Sequence, residues 1–351
     1  MADKLIVRDF GPIKNAELDI KKTTVLIGPQ GSGKSTLAKL VAIFNSIQNG
    51  EENLIELLSK YSISRKYVST KTVLEKSRVA DSFTRKISYR DLKLNYNFAT
   101  STTGIKAKDF DDFKHFYIPA ERTFVPLFID SIFDLLTQEV SIPSFILEFA
   151  REYSVAKKKI NSLPVTYLAL FYKNENGNDY ISNGKSGDIL LSESASGYQS
   201  IFPMKLVIEN NVNKVDNFFI IEEPELNLYP STQKNLIYDL TDKCTKKGSQ
   251  LLLTTHSPYV LSSLNNLLFA YKVAQKHSEQ TEEIAKIIPK ESWLNPDEFA
   301  AYFVADGTVR SITSPITGLI AENELDGISE DIGDEFNALM EIYRTKNETS
   351  H

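Results

Sequence analysis

TTVLIGPQGSGKST, Thr23–Thr36, is the stretch from which the rest of the chain is read. Its first half, Thr23 to Ile27, is a short β-branched and apolar run, the pattern of a buried strand. Gly28 ends that run, and Gly33-Lys34-Ser35 follows at the spacing G-x-x-x-x-G-K-[ST]. Glycines at these positions let the backbone curl so that successive N–H groups converge on an anion. A helix opening near Gly33 adds the positive end of its dipole. The loop Gly28, Pro29, Gln30, Gly31, Ser32, Gly33 with Lys34, Ser35 and Thr36 therefore reads as a phosphate cradle. Lys34 is expected at the β- and γ-phosphates of a nucleotide and the Ser35 hydroxyl at Mg²⁺. Four fixed positions coincide by chance in roughly one chain in a hundred of this length, and a strand before with a helix after makes coincidence rarer still.

Outward from the loop, the first residues pair into a hairpin. Leu5–Phe10 and Lys14–Ile20 flank Gly11-Pro12, and either Phe10 or Lys14 could edge a purine ring, although a phenylalanine at a strand end is more often core. Lys34–Ile47 is the helix after the cradle. Glu51–Val79 reads as charged helix, Ser82–Phe98 as two strands, and Thr100–Asp112 as a polar surface loop. His115–Ile118 is a strand that breaks at Pro119-Ala-Glu-Arg122. Phe124–Lys159 is mostly helical, interrupted at Pro126 and Pro143. Val165–Leu191 returns to short strands with turns at Gly177-Asn178 and Asn183-Gly184. Ser231–Lys246 and Ser257–Lys272 read as helices around a strand at Gln250–Thr254. Phe299–Val304 and Thr308–Ile312 form a hairpin about Asp306-Gly307, and Ile328–Tyr343 is an amphipathic acidic helix. The carboxylates on or near it, Asp326, Glu330, Asp331, Asp334 and Glu335, read as a solvated face.

Two further strand ends carry chemistry. FFIIEEPE, Phe218–Glu225, is an apolar run delivering carboxylates at its carboxyl end, where an α/β nucleotide enzyme needs them. Glu222 is expected in the Mg²⁺ shell and Glu223 on the attacking water. LLLTTHSP ends a second apolar strand at His256, placed to hold a terminal phosphate or the water.

Length and composition bound the rest. The chain has 351 residues, room for one large α/β domain or two smaller ones. A net charge of −6 gives no global basic footprint, which leaves nucleic acid to a local face at most. Cys244 is the sole cysteine, so neither an intramolecular disulfide nor a cysteine zinc site can form. The charged N-terminus lacks the apolar core of a signal peptide, and no run approaches a membrane span. A soluble cytoplasmic protein is expected.

Taken in order, GPQGSGKS, ASGYQ (Ala195–Gln199), FFIIEEPE and TTHSP resemble the motif set of ABC-type ATPase heads in the SMC/RecF/OLD branch, in particular the stand-alone AAA-type ATPases of bacterial anti-phage defence systems. That resemblance covers most of the chain through scattered motifs, far more specific as a set than singly. It implies Walker A, signature, Walker B with catalytic glutamate, and switch histidine. The implied fold is α/β of the P-loop type: a mixed sheet core, an antiparallel β subdomain and a helical lobe carrying the signature. The implied division is a nucleotide-binding lobe at 1–120 and 213–315, a helical signature lobe at 121–212 and a C-terminal helix at 316–351. ATP with Mg²⁺ would be sandwiched in a homodimer or higher homo-oligomer, with Ser196 and Gly197 of one subunit at the γ-phosphate held by the other. Glu223 and His256 would serve hydrolysis to ADP and phosphate.

Several residues depart from the family. Ala195 and Tyr198 stand where the signature has Leu and a second Gly, and Glu222 replaces the Walker B Asp, so hydrolysis is expected to be slow. No clear glutamine follows His115–Ile118; Glu121 or Arg122 takes that place, and Arg122 is the one expected at the nucleotide. The segment between Walker A and the signature is too short for long coiled-coil arms, and no Toprim acidic set follows His256. The expectation is a motor that regulates a separately encoded effector, a nuclease or toxin. The competing expectations are a RecF-like repair ATPase that binds DNA, and a scaffold that binds ATP without turning it over.

Overall fold

Apolar strands whose residues are buried on both faces must be covered on both faces, and that requirement organises this molecule. The computed structural model describes residues 2–47, 52–80, 83–100, 114–185, 187–212, 214, 216–321 and 334–340. Its strands are β1 (Ala2–Phe10), β2 (Ile13–Asp19), β3 (Thr23–Ile27), β4 (Val73–Ala80), β5 (Phe83–Arg90), β6 (Lys93–Thr100) and β7 (His115–Ile118), then β8 (Ser162–Val165), β9 (Leu170–Glu175), β10 (Asn178–Ser182) and β11 (Ile189–Leu190), and finally β12 (Phe218–Glu222), β13 (Gln250–Thr255), β14 (Phe299–Ala305) and β15 (Thr308–Ser311). The helices are α1 (Lys34–Ser46), α2 (Leu54–Lys60), α3 (Val125–Phe128), α4 (Ile132–Thr137), α5 (Ser144–Lys157), α6 (Ser196–Asn211), α7 (Pro230–Cys244), α8 (Pro258–Lys276) and α9 (Thr281–Ile287).

One 11-stranded sheet runs β6-β5-β4-β1-β2-β15-β14-β3-β13-β12-β7. Its β14-β3-β13-β12-β7 half is parallel, and its β2-β1-β4-β5-β6 half is an antiparallel meander. The period of two sends alternate residues to opposite faces. Leu26, Phe218, Ile220 and Leu252 pack with Leu37, Val41 and Phe44 of α1 and Leu58 of α2. Val25, Ile27, Phe219, Ile221, Leu251 and Leu253 face the other way, into a core with Phe149 of α5, Phe202 of α6, Leu236 of α7 and Leu264 of α8. The expected α/β architecture with a large mixed sheet is therefore what forms.

Segment 121–212 is not purely helical. It carries a second sheet, β11-β10-β9-β8, whose Tyr172 and Ile181 share one continuous core with the parallel strands. Asp179 sits at its centre, accepting from Tyr153, Tyr172 and Asn174 and pairing with Lys157 at 2.9 Å. The β9–β10 turn lies at Asn176-Gly177, both with positive φ, one residue earlier than the sequence reading placed it.

The helical reading of Glu51–Val79 holds only for α2. Its charges mimic a helix face, but in β4 they pair across strands instead. Glu75 meets Lys86 and Arg90 of β5, and Lys76 meets Asp3 of β1. Phe10 is fully buried, edge-on to Tyr67 at 5.7 Å, and so belongs to the core. The expected loop 100–112 lies outside the described residues apart from Thr100. Of the expected C-terminal helix, residues 334–340 are described and helical, with Asp334 and Glu335 exposed; Asp326, Glu330 and Asp331 lie outside.

The Asp3–Lys76 pair, at 2.7 and 2.9 Å, is buried between β1 and β4. Burial pulls the Lys76 pKa down while Asp3 pulls it back. Asp3→Ala should therefore strand a buried ammonium and cost about 3 kcal/mol in urea unfolding. Replacing both partners by Leu and Met should recover most of that loss.

Candidate functional site

Register puts the chemistry on one edge. Thr255 pairs with Ile27, Glu222 with Thr254 and Ile221 with Ile118, so β3, β13, β12 and β7 end together. The loops that follow begin with Gly28, His256, Glu223 and Pro119, and they meet where an open parallel sheet presents its ligand crevice.

The cradle needs glycine at two points for space as well as torsion. A Cβ on Gly28 would lie 2.1 Å from the Val304 carbonyl oxygen, and one on Gly33 (φ 106°) would lie 2.4 Å from Ile13 Cδ1. β14 and the β1–β2 hairpin thus press directly on the loop. Pro29, Gln30 and Gly31 form its exposed apex, Ser32 N–H donates to Pro29 O at 3.3 Å, and Thr36 is half-buried in α1. Lys34 is buried. Its Nζ donates to Gly28 O at 2.8 Å and Pro29 O at 2.9 Å, and lies 3.5 Å from His256 Nδ1. Burial lowers its pKa to about 8, against the raising influence of Glu223, Glu225 and Glu222.

His256 has a second neighbour: Nε2 stands 3.2 Å from Glu223 Oε1. Because Lys34 has only donors to offer, Nδ1 is the accepting nitrogen and Nε2–H donates to Glu223. Lys34, His256 and Glu223 thus form one chain of contacts. Glu223 has φ +43°, a conformation rare outside glycine, and its N–H donates to Thr254 O at 2.9 Å. The kink ends β12 and leaves its carboxylate 27 % exposed beside His256.

Glu222 points the other way, towards α1, on the face it shares with Phe218 and Ile220. It is 2 % exposed, and burial raises its pKa while the Lys39 ammonium lowers it. The Ser35 and Tyr117 hydroxyls are its nearest polar neighbours, yet Oε1 has no hydrogen bond of good geometry. An orphaned carboxylate oxygen beside a serine hydroxyl fits a hydrated Mg²⁺, which takes few protein ligands and completes its shell from water and phosphates. No three His, Cys, Asp or Glu residues converge on a metal position among the described residues.

Sequence reasoning did not anticipate three supporting groups. Tyr117 lies beside Glu222 from β7, the charge of Lys39 acts on it from one turn beyond Ser35, and Glu225 braces the histidine. Glu225 Oε1 accepts from Thr255 Oγ1 at 2.6 Å and from His256 N–H at 2.9 Å. Alternation in HFYI already separates Tyr117 from Phe116 and Ile118, and the i+4 spacing already puts Lys39 over Ser35. The role of Glu225 had no such signal, because it depends on a turn meeting a neighbouring strand.

Arg122 is a correction. It is fully buried and donates to main-chain carbonyls: Nη1 to Glu222 O (2.6 Å) and Pro119 O (3.0 Å), Nη2 to Glu223 O (2.8 Å), and Nε to Ser200 O (3.2 Å). A guanidinium so occupied does not bind nucleotide. Ser196 is exposed as the first residue of α6, and none of the described hydrogen bonds joins it to Lys34, Glu222, Glu223 or His256. Gly197 is buried; a Cβ there would lie 2.8 Å from Asn227 O.

Three solved structures are similar to the chain at low identity. The SMC head domain from Thermotoga maritima is 14 % identical, with 89 % of this chain and 98 % of that one covered and a TM-score of 0.44. The SmcHead bound to the C-winged helix domain of ScpA is 12 % identical, with 89 % and 96 % covered and a TM-score of 0.48. The Smc head domain with an extended coiled coil, bound to the C-terminal domain of ScpA derived from Pyrococcus furiosus, is 12 % identical, with 94 % and 99 % covered and a TM-score of 0.46. No curated protein matches the chain. No helix among the described residues is long and apolar enough to cross a membrane. The profile of the AAA ATPase domain family matches residues 1–160 and 139–261, and the chain belongs to that family.

Proposed function

We propose that this ATPase binds Mg-ATP in the Gly28–Thr36 cradle, pairs head to head through the nucleotide, and uses slow hydrolysis to regulate a separately encoded effector in an anti-phage module. The observation that carries the catalytic part is the contact chain Lys34–His256–Glu223, 3.5 and 3.2 Å long, at the mouth of a phosphate loop. The effector role is supported by the motif resemblance alone. A DNA-binding reading finds little support on the meander, where Lys86 and Arg90 both pair with Glu75.

The residues divide the work as follows. Loop N–H groups and the start of α1 receive the β- and γ-phosphates. Lys34 gives up its Gly28 and Pro29 carbonyls for phosphate oxygens, an exchange of neutral acceptors for anionic ones that makes an ion pair. Ser35 and Glu222 would hold Mg²⁺, which neutralises charge on the phosphates when bound. Glu223 accepts the proton of the attacking water, and the Nε2–H of His256 aims that carboxylate. Glu222 is one methylene longer than the usual Asp and Tyr198 replaces a signature glycine; both support slow turnover. The nucleotide-binding lobe at 1–120 and 213–315 and the signature lobe at 121–212 remain our division of the chain, with 316–351 as an appendage.

Lys34→Ala should abolish binding of a fluorescent ATP analogue without lowering the melting temperature. Glu223→Gln should bind Mg-ATP yet turn over about a hundredfold more slowly; steady-state turnover equal to wild type would refute the base assignment.

The trans arrangement has its own test. Gly197 is hemmed in by its own chain, so the exposed Ser196 is the cleaner probe. Ser196→Glu would set a carboxylate against a partner's γ-phosphate, while its own cradle stays intact. Neither Ser196→Glu nor Lys34→Ala alone should hydrolyse ATP, whereas a mixture should regain one competent site per dimer. Absence of recovery at every mixing ratio, with both proteins folded and able to pair, would rule out a signature acting in trans.

A further inference from the structure

Among the described residues Arg122 is the largest fully buried side chain, and it joins the ends of β7 and β12 to α6. The parallel ladder between β7 and β12 stops at Ile118 and Ile221. The next residue on β7 is Pro119, which has no N–H to extend it. Arg122 supplies the missing rung: one Nη1 bonds both Pro119 O and Glu222 O. Its Nη2 holds the carbonyl of Glu223, whose amide is held from the other side by Thr254. Both peptide groups of a residue at φ +43° are therefore clamped, and such a conformation persists only where its surroundings over-determine it. Nε then reaches Ser200 O, one turn into α6 from Ser196.

We propose that Arg122 is a positioning residue that ties the Glu222–Glu223 turn to the first turn of α6, so that movement at the α6 N-terminus is transmitted to the catalytic carboxylate. This rests on the ATPase reading of the same site and adds a means of regulating it. The link is specific to a guanidinium. Four of its N–H bonds diverge in a rigid plane to three elements, and a lysine ammonium is a single point that cannot span them. Its charge also has a place here, since Glu225, Glu223, Glu222 and Glu121 all act on it electrostatically while burial pulls its pKa down to about 10.

The test compares the full-length wild type with Arg122→Lys, and with Arg122→Gln, which buries no charge. Each is measured for melting, Mg-ATP affinity, kcat and amide hydrogen exchange. In a folded variant, affinity should stay within about threefold while kcat falls about tenfold to a hundredfold, the scale for a misplaced catalytic group. Exchange should quicken together in residues 222–226 and 196–204 and stay unchanged in β3 and α1. A kcat within twofold of wild type, a parallel fall in affinity and kcat, or faster exchange in only one of the two segments would overturn the proposal. Failure of both variants to fold would also overturn it, in favour of a purely structural role. If the wild type itself does not hydrolyse ATP, the ATPase reading fails, and the exchange comparison alone decides whether Arg122 links the two segments.

Discussion

The parallel register of β3, β13 and β12 is the constraint on which the site depends. Ile27 and Thr255 share a rung, and Glu222 ends one rung earlier. A slip of one residue in either pairing would turn Glu222 away from Ser35 and carry Glu223 away from His256. Burial on both faces prevents the slip. Val25, Leu26 and Ile27 are all fully buried, so any other register sends an apolar residue against the wrong layer of helices.

Around that edge the electrostatics are self-balancing. Three carboxylates, those of Glu222, Glu223 and Glu225, crowd two buried cations, Lys34 and Arg122. Burial pushes Glu222 and Glu225 towards neutrality and pulls both cations down; the carboxylates raise the cations again, Lys39 lowers Glu222, and hydrogen bonds from Thr255 and the His256 amide lower Glu225. Such clusters are costly to assemble and mark functional sites more often than stabilising ones. Here each member has its own neighbours: Ser35 for Glu222, His256 for Glu223, Thr255 for Glu225, the Gly28 and Pro29 carbonyls for Lys34, and the Pro119, Glu222, Glu223 and Ser200 carbonyls for Arg122.

The signature segment is joined to this centre by more than one route. Arg122 bonds the main chain of α6, Gly197 lies against the Asn227 carbonyl, and Lys205 of α6 reaches Asp239 of α7 at 2.5 Å. α6 is thereby braced against both the end of β12 and the helix that follows it. Segment 121–212 also shares its core with the parallel strands, so it is joined to them by packing as well as by polar contacts.

Local order in the chain was enough to find much of this. The phosphate loop, the carboxylates after Ile221 and the histidine after Thr255 were legible because each is a short motif at the end of an apolar run, and strand, turn and helix signals act over a few residues. Charged stretches misled, since Glu75 and Lys76 look alike on a helix face and in cross-strand ion pairs. Arg122 was placed at the nucleotide because motif order says which residue stands near a site but not where its side chain points. Only the tertiary structure decided that, by bringing the carbonyls of Glu222 and Ser200 within 2.6 and 3.2 Å of it. The sequence by itself determined the phosphate loop and its acidic and histidine companions, whose chemistry is written in local spacing. The fold decided which of them face one another, because that depends on strand register and buried hydrogen-bond demand between residues far apart in the chain.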